Sequence, residues 1–313
     1  MKRTVTGLLL ALLLGAAAVW FAGFEVKKEC IRTIPVMGTI CDCRLELASG
    51  DSDTAFKAVS SAFSEVMLLA NLYDKSSELA KLNASADKAP FVCSKELYNL
   101  LAESRRAYQI SSGSFDISVK PLMDLWGFYR KRGTIPPESE ITKAKKLCGL
   151  DKVIFNDAER SVKFTHKGMA LDLGGIAKGY ALDLAVEKLA GAGVTVKRGT
   201  LNLGGNIYLF GKDQTYRIGI KSPSSPEQIK EIITLTSPGA VSSSGDYERF
   251  VILDGKKFGH IIDPATGVPA PRSYASTVYA ARGVDSDWMS TTLYLRGKSY
   301  AGKLDCLSWT VEK

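Results

Sequence analysis

The sequence lacks the short motifs that identify several common enzyme classes. It contains no Gly-x-Ser-x-Gly segment, which argues against an ordinary serine hydrolase, and no glycine-rich segment with the spacing of a dinucleotide fingerprint or a P-loop. Histidine occurs only twice, and the six cysteines have neither paired short spacing nor histidine partners. A zinc site is therefore excluded, and disulfides or buried thiols remain as roles for the cysteines.

A concentrated basic surface is also missing, although the formal net charge is +8. The basic residues are scattered, acidic and aromatic residues lie between them, and no base-reading motif occurs. We therefore expect no nucleic-acid partner, and a small molecule that carries a diphosphate fits the charge better. With 313 residues, 45% of them hydrophobic, the chain is long enough for one large or two medium domains.

Long apolar runs are absent except at the start of the chain. Lys2 and Arg3 precede an almost wholly apolar stretch from Val5 to Phe24. We expect residues 1–25 to form a signal peptide or an N-terminal membrane anchor, because the run has small residues for cleavage and about the 18 to 20 residues that span a bilayer. Residues 30–313 are then one soluble unit that is periplasmic, or anchored to the inner membrane and facing the periplasm.

Periodicity after this leader indicates a mixture of helices and short strands. Apolar and polar residues alternate from Thr39 to Leu47, which predicts a half-buried strand with Cys41 and Cys43 packed on one face. Asp51 and Ser94 each precede an apolar stripe at helical spacing and are predicted N-caps. The pattern predicts an α+β fold, a single domain of mainly antiparallel sheet with packed helices. The other predicted elements are helices from Ile141 to Leu147 and Ala177 to Leu189, and strands from Lys152 to Phe155, Ser161 to Phe164, Asn202 to Phe210, Tyr216 to Ile220 and Phe250 to Leu253.

The segment from Leu171 to Tyr180 carries an acid, two glycines and a lysine where a strand is predicted to give way to a helix. These residues are Asp172, Gly174, Gly175 and Lys178. Glycines let the backbone approach an anion, the first N–H groups of a helix are unpaired, and a lysine adds positive charge. A phosphate site is one interpretation, and a Gly-Gly turn before an amphipathic helix is the other.

A carboxylate and a hydroxyl lie four residues apart near the end of the chain. Asp287 and Thr291 share one face if their segment is helical. This pair suits Mg²⁺, which takes a few protein oxygens and completes its shell with water and phosphate. The alternative is that Asp287 caps the N-terminus of a helix.

His260 opens the segment His-Ile-Ile-Asp-Pro-Ala-Thr-Gly. It could orient a phosphate, act as a general acid or base, or be a hydrogen-bonded residue at the end of a strand. Polar loops from Ser111 to Asp116 and from Ser242 to Tyr247 could offer hydroxyls and amides to a ligand, although turns explain them equally well.

Taken in order, these segments resemble the ApbE-type family, the FAD:protein FMN transferases, over nearly all of the chain after the leader. The chain departs from the family pattern at Gly175, where alanine is often found, and at Trp288 and Met289, where small residues are common. The matching segments are Met37-Gly38-Thr39; Tyr73 with Ser77-Glu78-Leu79 and Leu82-Asn83; Gly113 to Asp116 with Pro121-Leu122 and Leu125 to Phe128; Asp172 to Tyr180; Asn202 to Asn206; Ser244 to Arg249; His260 to Gly267; and Asp287 with Thr291.

The resemblance implies that residues 30–313 form a flavin transferase catalytic domain with FAD as substrate and Mg²⁺ as cofactor. It implies a magnesium ion held by Asp287, Thr291 and the backbone carbonyl of Gly175. It also implies that FAD is contacted by Met37, Tyr73, Ser114, Phe115, Asp116, Asp172, Lys178, His260 and Ile262.

The activity implied is Mg²⁺-dependent transfer of the FMN moiety of FAD onto a threonine hydroxyl of an acceptor protein, an exported redox subunit, with release of AMP. His260 would be the catalytic base or position the hydroxyl, and Asp287 is the second candidate. Two alternatives stay open. Water as the acceptor would make the protein an FAD pyrophosphatase that yields FMN and AMP, and a flavin-binding protein would show no turnover.

Overall fold

A computed structural model describes residues 29–225, 227–236, 238–246, 249–271 and 273–312. The predicted signal peptide or membrane anchor at residues 1–25 lies outside the described residues. Within those ranges, no helix combines the length and the apolar composition that crossing a membrane requires.

A large antiparallel sheet forms the centre of the fold. The described residues form strands β1 (Glu29–Val36), β2 (Thr39–Ser49), β3 (Phe91–Val92), β4 (Val153–Asn156), β5 (Ser161–Phe164), β6 (Thr195–Leu203), β7 (Asn206–Phe210), β8 (Tyr216–Lys221), β9 (Ile229–Leu235), β10 (Gly239–Ser244), β11 (Phe250–Leu253), β12 (Lys256–Gly259), β13 (Ile262–Asp263), β14 (Val268–Pro269), β15 (Tyr274–Ala280) and β16 (Leu307–Glu312). Seven of them pair in the order β1-β2-β6-β7-β10-β15-β16, each antiparallel to its neighbours. The predicted antiparallel sheet is confirmed.

The helices begin where their capping residues predict. The Asp51 side chain accepts a hydrogen bond from the Thr54 N–H (2.9 Å), and Ser94 caps its helix through the Leu97 N–H (3.1 Å). The described α-helices are α1 (Ser52–Ala70), α2 (Glu78–Ser85), α3 (Lys95–Ile110), α4 (Lys120–Leu125), α5 (Glu138–Lys146), α6 (Ala177–Gly191) and α7 (Gly283–Arg296). Helix α5 begins three residues earlier than expected, directly after Pro137, whose restricted φ suits a helix start.

Helices cover one face of the large sheet. Helices α1, α6 and α7 lie side by side, with α6 against β6 and β7 and α7 against β10 and β15. On the opposite face the β8–β9 hairpin packs Ile220 and Ile233 against Leu209 and Val241 of the sheet. The central strands are therefore buried on both sides. Because α6 and α7 pack on this sheet, the sheet determines where their ends lie.

Two strand predictions are corrected by the structure. The segment from Asn202 to Phe210 is a hairpin, because Gly204 and Gly205 adopt left-handed conformations (φ +55° and +93°) that turn the chain between β6 and β7. The residues before α6 belong to no strand, because the Asn83 side chain pairs with Leu171 instead. Its Nδ2 donates to the Leu171 carbonyl (2.9 Å), and its Oδ1 accepts from the Leu171 N–H (2.8 Å).

The cysteines inside the fold behave as small packing residues. Cys41, Cys43, Cys93 and Cys148 are buried thiols. The Cys41 and Cys43 sulfurs point to the same face of β2 and lie 3.7 Å apart, a hydrogen-bond contact. This confirms the packing role predicted from their alternation.

Candidate functional site

A cleft of about 880 Å³ opens at the N-terminal end of α6. Its size falls within the range of about 300–1,000 Å³ that is typical of ligand pockets. Of the three predicted magnesium ligands, Gly175 and Thr291 line the cleft, and Asp287 is buried against α6. The structure also brings together every residue predicted to contact FAD: Met37, Tyr73, Ser114, Phe115, Asp116, Asp172, Lys178, His260 and Ile262 all line the cleft.

The start of α6 brings the positive end of a helix dipole and a lysine to this cleft. We term residues 174–178 the phosphate cradle. Ile176 occupies the N-cap position and makes no side-chain capping hydrogen bond. Lys178 lines the cleft and forms no ion pair with a carboxylate in the described ranges. The N–H groups of Gly174, Ile176 and Ala177 are already bonded to Asp172 and to the Leu173 carbonyl. The helix dipole and the Lys178 ammonium are therefore what favours an anionic ligand at this point.

Asp287 lies within α7 at its crossing with α6, so it does not cap its own helix. Its Oδ2 instead accepts a hydrogen bond from the Gly179 N–H (2.9 Å) in the first turn of α6. Burial raises the pKa of Asp287, and the charge of Lys178, the Asn206 amide and the Gly179 N–H oppose that rise. Positive charge brought into this corner would therefore stabilise the carboxylate.

Thr291 lies one helical turn beyond that carboxylate and faces the cleft. Hydroxyl contacts to β10 hold this part of α7 in place. The Ser244 hydroxyl lies 2.8 Å from the Ser290 hydroxyl and 3.2 Å from that of Thr291. Ser242 and Ser286 form a second hydroxyl pair (2.8 Å) nearer the start of the helix. The orientation of the Thr291 face is thus determined by the central sheet.

The donors around the helix crossing fit a magnesium ion. A carboxylate from Asp287, a hydroxyl from Thr291 and a carbonyl from Gly175 are hard oxygen ligands, which Mg²⁺ prefers. The described residues contain no cluster of three or more His, Cys, Asp or Glu side chains. Among the described residues the buried Nδ2 of Asn206 lies near enough to Asp287 to affect its pKa but makes no hydrogen bond, which leaves the polar corner incompletely satisfied.

Asp172 is fixed at the edge of the phosphate cradle by two hydrogen bonds. Its Oδ1 accepts from the Gly174 N–H (2.9 Å), and its Oδ2 accepts from the Tyr129 hydroxyl. Burial, and then the Asp172 charge, raise the pKa of Tyr129. The phenol therefore stays protonated and continues to donate to the carboxylate.

Tyr129 and Arg249 were missed as site residues by sequence reasoning. Tyr73 and Tyr129, with ring centroids 5.7 Å apart, form what we term the aromatic wall of the cleft. The Arg249 guanidinium lies 5.1 Å from the Tyr129 ring centre and donates to the Tyr73 hydroxyl (3.1 Å) and to the Phe128 carbonyl. Tyr129 directly follows the family segment that ends at Phe128, and Arg249 is the last residue of another family segment. Their positions next to or within these segments could therefore have marked them as candidate site residues.

His260 is neutral in this environment. Burial, together with the Arg249 and Lys178 charges, lowers the pKa of His260 to about 4. Its Nδ1 lies 3.1 Å from the Arg249 carbonyl oxygen. Because a carbonyl only accepts hydrogen bonds, Nδ1 carries the proton and Nε2 carries the lone pair.

Asp116 combines a place in the cleft with a local structural contact. Its Oδ1 accepts hydrogen bonds from the Ser118 N–H (2.8 Å) and from the Ser118 hydroxyl (2.6 Å), which caps the short 3₁₀ turn Ile117–Val119. Burial raises the pKa of Asp116. At least one carboxylate oxygen is therefore committed to holding the turn.

The departures from the family pattern at Gly175 and Trp288 lie on either side of Phe115. A β-carbon on Gly175 would be 3.2 Å from the Phe115 ring, and the rings of Phe115 and Trp288 have centroids 6.4 Å apart. Trp288 and Met289 are buried in the main core. The large residue at 288 therefore fills core next to Phe115.

Comparison with known proteins agrees with this geometry. Residues 37–304 match the ApbE family. The FAD:protein FMN transferase of Treponema pallidum is 30% identical over 93% of this chain and 84% of its own length. The enzyme of the same name from Vibrio cholerae is 29% identical over 90% of this chain and 86% of its own.

Solved structures show the same fold. The ApbE protein of Thermotoga maritima has a TM-score of 0.80 at 29% identity and covers 88% of this chain and 90% of its own. The flavin transferase ApbE of Vibrio cholerae has a TM-score of 0.80 at 26% identity, with 91% and 94% covered. Family match, sequence identity and fold agree over nearly the same residues, and this chain therefore belongs to the ApbE family.

Proposed function

We propose that this protein is an FAD:protein FMN transferase, which moves the FMN moiety of FAD onto a threonine hydroxyl of an acceptor protein and releases AMP. One observation carries the proposal: a single cleft joins the phosphate cradle, Thr291 and the aromatic wall, and Asp287 is buried next to it against the first turn of α6. A flavin dinucleotide needs a positive region for its diphosphate and flat surfaces for its rings. The relatives named FAD:protein FMN transferase support the same activity.

The reaction is a phosphoryl-type transfer between two oxygens. The acceptor hydroxyl attacks the phosphorus of the FMN half, a new oxygen–phosphorus bond forms, and AMP leaves with the oxygen that bridged the two phosphates. Lys178 and the positive end of the α6 dipole offset the diphosphate charge, which reduces its repulsion of the incoming oxygen. Asp287, Thr291 and the Gly175 carbonyl would hold a magnesium ion, which would supply further neutralisation of the diphosphate charge.

The acceptor hydroxyl must lose its proton as it attacks. His260 offers the lone pair of Nε2, because its Nδ1 is committed to the Arg249 carbonyl. We assign the base to His260 and the metal site to Asp287, since the Asp287 carboxylate is already bonded to the Gly179 N–H. The lowered pKa of His260 keeps Nε2 unprotonated at neutral pH, although it also makes the imidazole a weak base.

We also propose that the protein works in the periplasm, free or attached to the inner membrane through residues 1–25, and that its acceptor is an exported redox subunit. The support is the apolar stretch from Val5 to Phe24 behind two basic residues. Fractionation of cells that produce the full chain with a C-terminal tag tests this placement. Recovery of the protein in the cytosol alone would contradict it.

The activity is tested by incubating the protein with FAD and Mg²⁺, with and without a threonine-containing acceptor. Mass spectrometry should show the acceptor with the added mass of FMN, and chromatography should show AMP in equal amount. FMN and AMP released equally in both arms would identify a pyrophosphatase. Bound FAD without any AMP would identify a flavin-binding protein that does not turn over.

A further inference from the structure

A second cavity of about 490 Å³ lies beside the main cleft. We term it the side groove, and it is lined by residues 112–114, Asp263, Leu295, Arg296, Tyr300 and Lys303. It shares Ser114 and Leu295 with the main cleft, so the two cavities meet. Leu295 follows Thr291 by one turn of α7, which places the junction close to the predicted magnesium site.

The side groove holds two cations, Arg296 and Lys303. Arg296 and Lys303 form no ion pair with any carboxylate in the described ranges. Other arginines next to α7 are paired. Arg282 bonds Glu103 and Asp285, for example. Asp263 is the one carboxylate among the residues that line the groove, so it offsets at most one of the two positive charges. The groove therefore presents unbalanced positive charge.

A fixed aromatic ring holds both cations in place. The Arg296 guanidinium and the Lys303 ammonium lie 5.0 Å and 5.1 Å from the centre of the Tyr300 ring. Tyr300 is buried, and its hydroxyl donates to the Ile110 carbonyl (3.0 Å) and lies 3.3 Å from the Ser112 hydroxyl. Cations held against a fixed ring lose less conformational entropy when they bind an anion.

We infer that the side groove binds the acceptor polypeptide through a carboxylate near its target threonine. The inference rests on the proposed transfer, which requires a polypeptide to reach the phosphates of FAD. A nucleotide base fits the groove poorly because the Tyr300 ring is already covered by cations. The hydroxyls of Ser112 and Ser299 can bond to a peptide backbone, and the junction with the main cleft leads the bound chain towards the phosphate cradle.

Direct binding tests the groove without turnover. The probes are two short fluorescein-labelled peptides with one threonine, flanked by aspartates in one and by asparagines in the other. Anisotropy with the full protein should show tighter binding of the aspartate peptide. The double variant Arg296→Gln/Lys303→Gln should weaken it by about tenfold, the effect of two exposed charge pairs. Lys298→Gln, which changes a nearby lysine outside the groove, should leave binding unchanged.

Transfer kinetics separate the groove from the FAD site. With the aspartate peptide as acceptor, the double variant should raise KM for the peptide and leave the Kd for FAD unchanged. Equal binding of both peptides by the wild type, or an equal loss of FAD affinity in the double variant, overturns the inference. Charge-dependent peptide binding without flavin transfer would support the inference about the side groove and would contradict the proposed transferase activity instead.

Discussion

Gly179 of α6 and Gly283 of α7 lie back to back, so close that a β-carbon on Gly179 would stand 2.2 Å from the Gly283 carbonyl oxygen. Each glycine is followed four residues later by an aspartate that caps the other helix. Asp287 accepts from the Gly179 N–H (2.9 Å), and Asp183 accepts from the Gly283 N–H (2.6 Å). The crossing is thus reciprocal, and it determines the position of Asp287 beneath the phosphate cradle.

Gly179→Ala should disrupt this crossing. Its methyl group would meet the Gly283 backbone and the Asp287 side chain, and overpacking of this kind costs about 1–3 kcal/mol in the free energy of unfolding. FMN transfer should fall with it because Asp287 is displaced. Gly191→Ala in the same helix is the control, because a β-carbon at Gly191 would meet nothing within 4 Å. This substitution should raise the free energy of unfolding by about 0.4–1 kcal/mol. Denaturant unfolding of both variants provides the measurement, and equal effects would contradict the steric argument.

Asp183→Asn should flatten the dependence of stability on pH. Burial raises the pKa of Asp183 from its ordinary 3.8 to about 6, and the Gly283 and Val284 N–H groups only partly offset this. Because the folded pKa is the higher one, Asp183 contributes stability below about pH 4 that is lost as the pH rises through about 6.

The loss in the wild type should approach about 1.4 kcal/mol per pH unit between the two pKa values. The asparagine variant does not ionise and should lack this slope. Urea unfolding of both proteins at closely spaced pH values gives their free energies of unfolding. The difference between the two pH slopes is the contribution of Asp183. Identical slopes in the two proteins would show that Asp183 does not titrate in this interval.

Asp287→Ala and Asp287→Asn should both abolish efficient FMN transfer. Each removes the negative charge that we assign to Mg²⁺, and the rate should fall by about a thousandfold. Asparagine can still accept from the Gly179 N–H, so Asp287→Asn should retain more of the wild-type melting temperature than Asp287→Ala. Isothermal titration with Mg²⁺ and FAD should show weaker metal binding in both. Wild-type rates at ordinary Mg²⁺ concentrations would reject the metal assignment.

His260→Gln should lower the transfer rate by about a hundredfold or more while FAD binding persists. In the wild type, the acid side of the pH–rate profile should fall near pH 4, because burial lowers the pKa of His260 to about 4. An unperturbed histidine would lose activity near pH 6.5 instead. Initial rates over this pH range distinguish the two cases, provided that circular dichroism confirms a folded protein at each pH.

Local signals in the sequence predicted much of the fold. Caps such as Asp51 and Ser94 act within a few residues, so their helices were located correctly. Alternation located β2, and the Gly204 and Gly205 turn was missed because the apolar residues on both sides read as one strand. Pairing over long sequence distances, such as Asn83 with Leu171, leaves no trace in periodicity.

The candidate site shows the same contrast between local motifs, which were predicted, and long-range contacts, which were not. The residues assigned through the family motifs lie together in one cleft or next to it, although their contacts with FAD and Mg²⁺ remain predictions. Tyr129 and Arg249 were missed because their role depends on tertiary contacts with Asp172 and Tyr73. The reciprocal capping by Asp183 and Asp287 could not be predicted from the sequence either. The position of an aspartate along a helix does not indicate which backbone N–H of another helix its carboxylate will contact.

The pairing of Asn83 with Leu171 makes one side-chain amide serve as a substitute for a neighbouring strand. Helix α2 therefore contributes to aligning the approach to the phosphate cradle, together with the Asp172 N–H, which donates to the Ile117 carbonyl (2.7 Å). A neighbouring strand would spread this alignment over many peptide groups, whereas here one rotatable side-chain amide supplies both of the hydrogen bonds at Leu171.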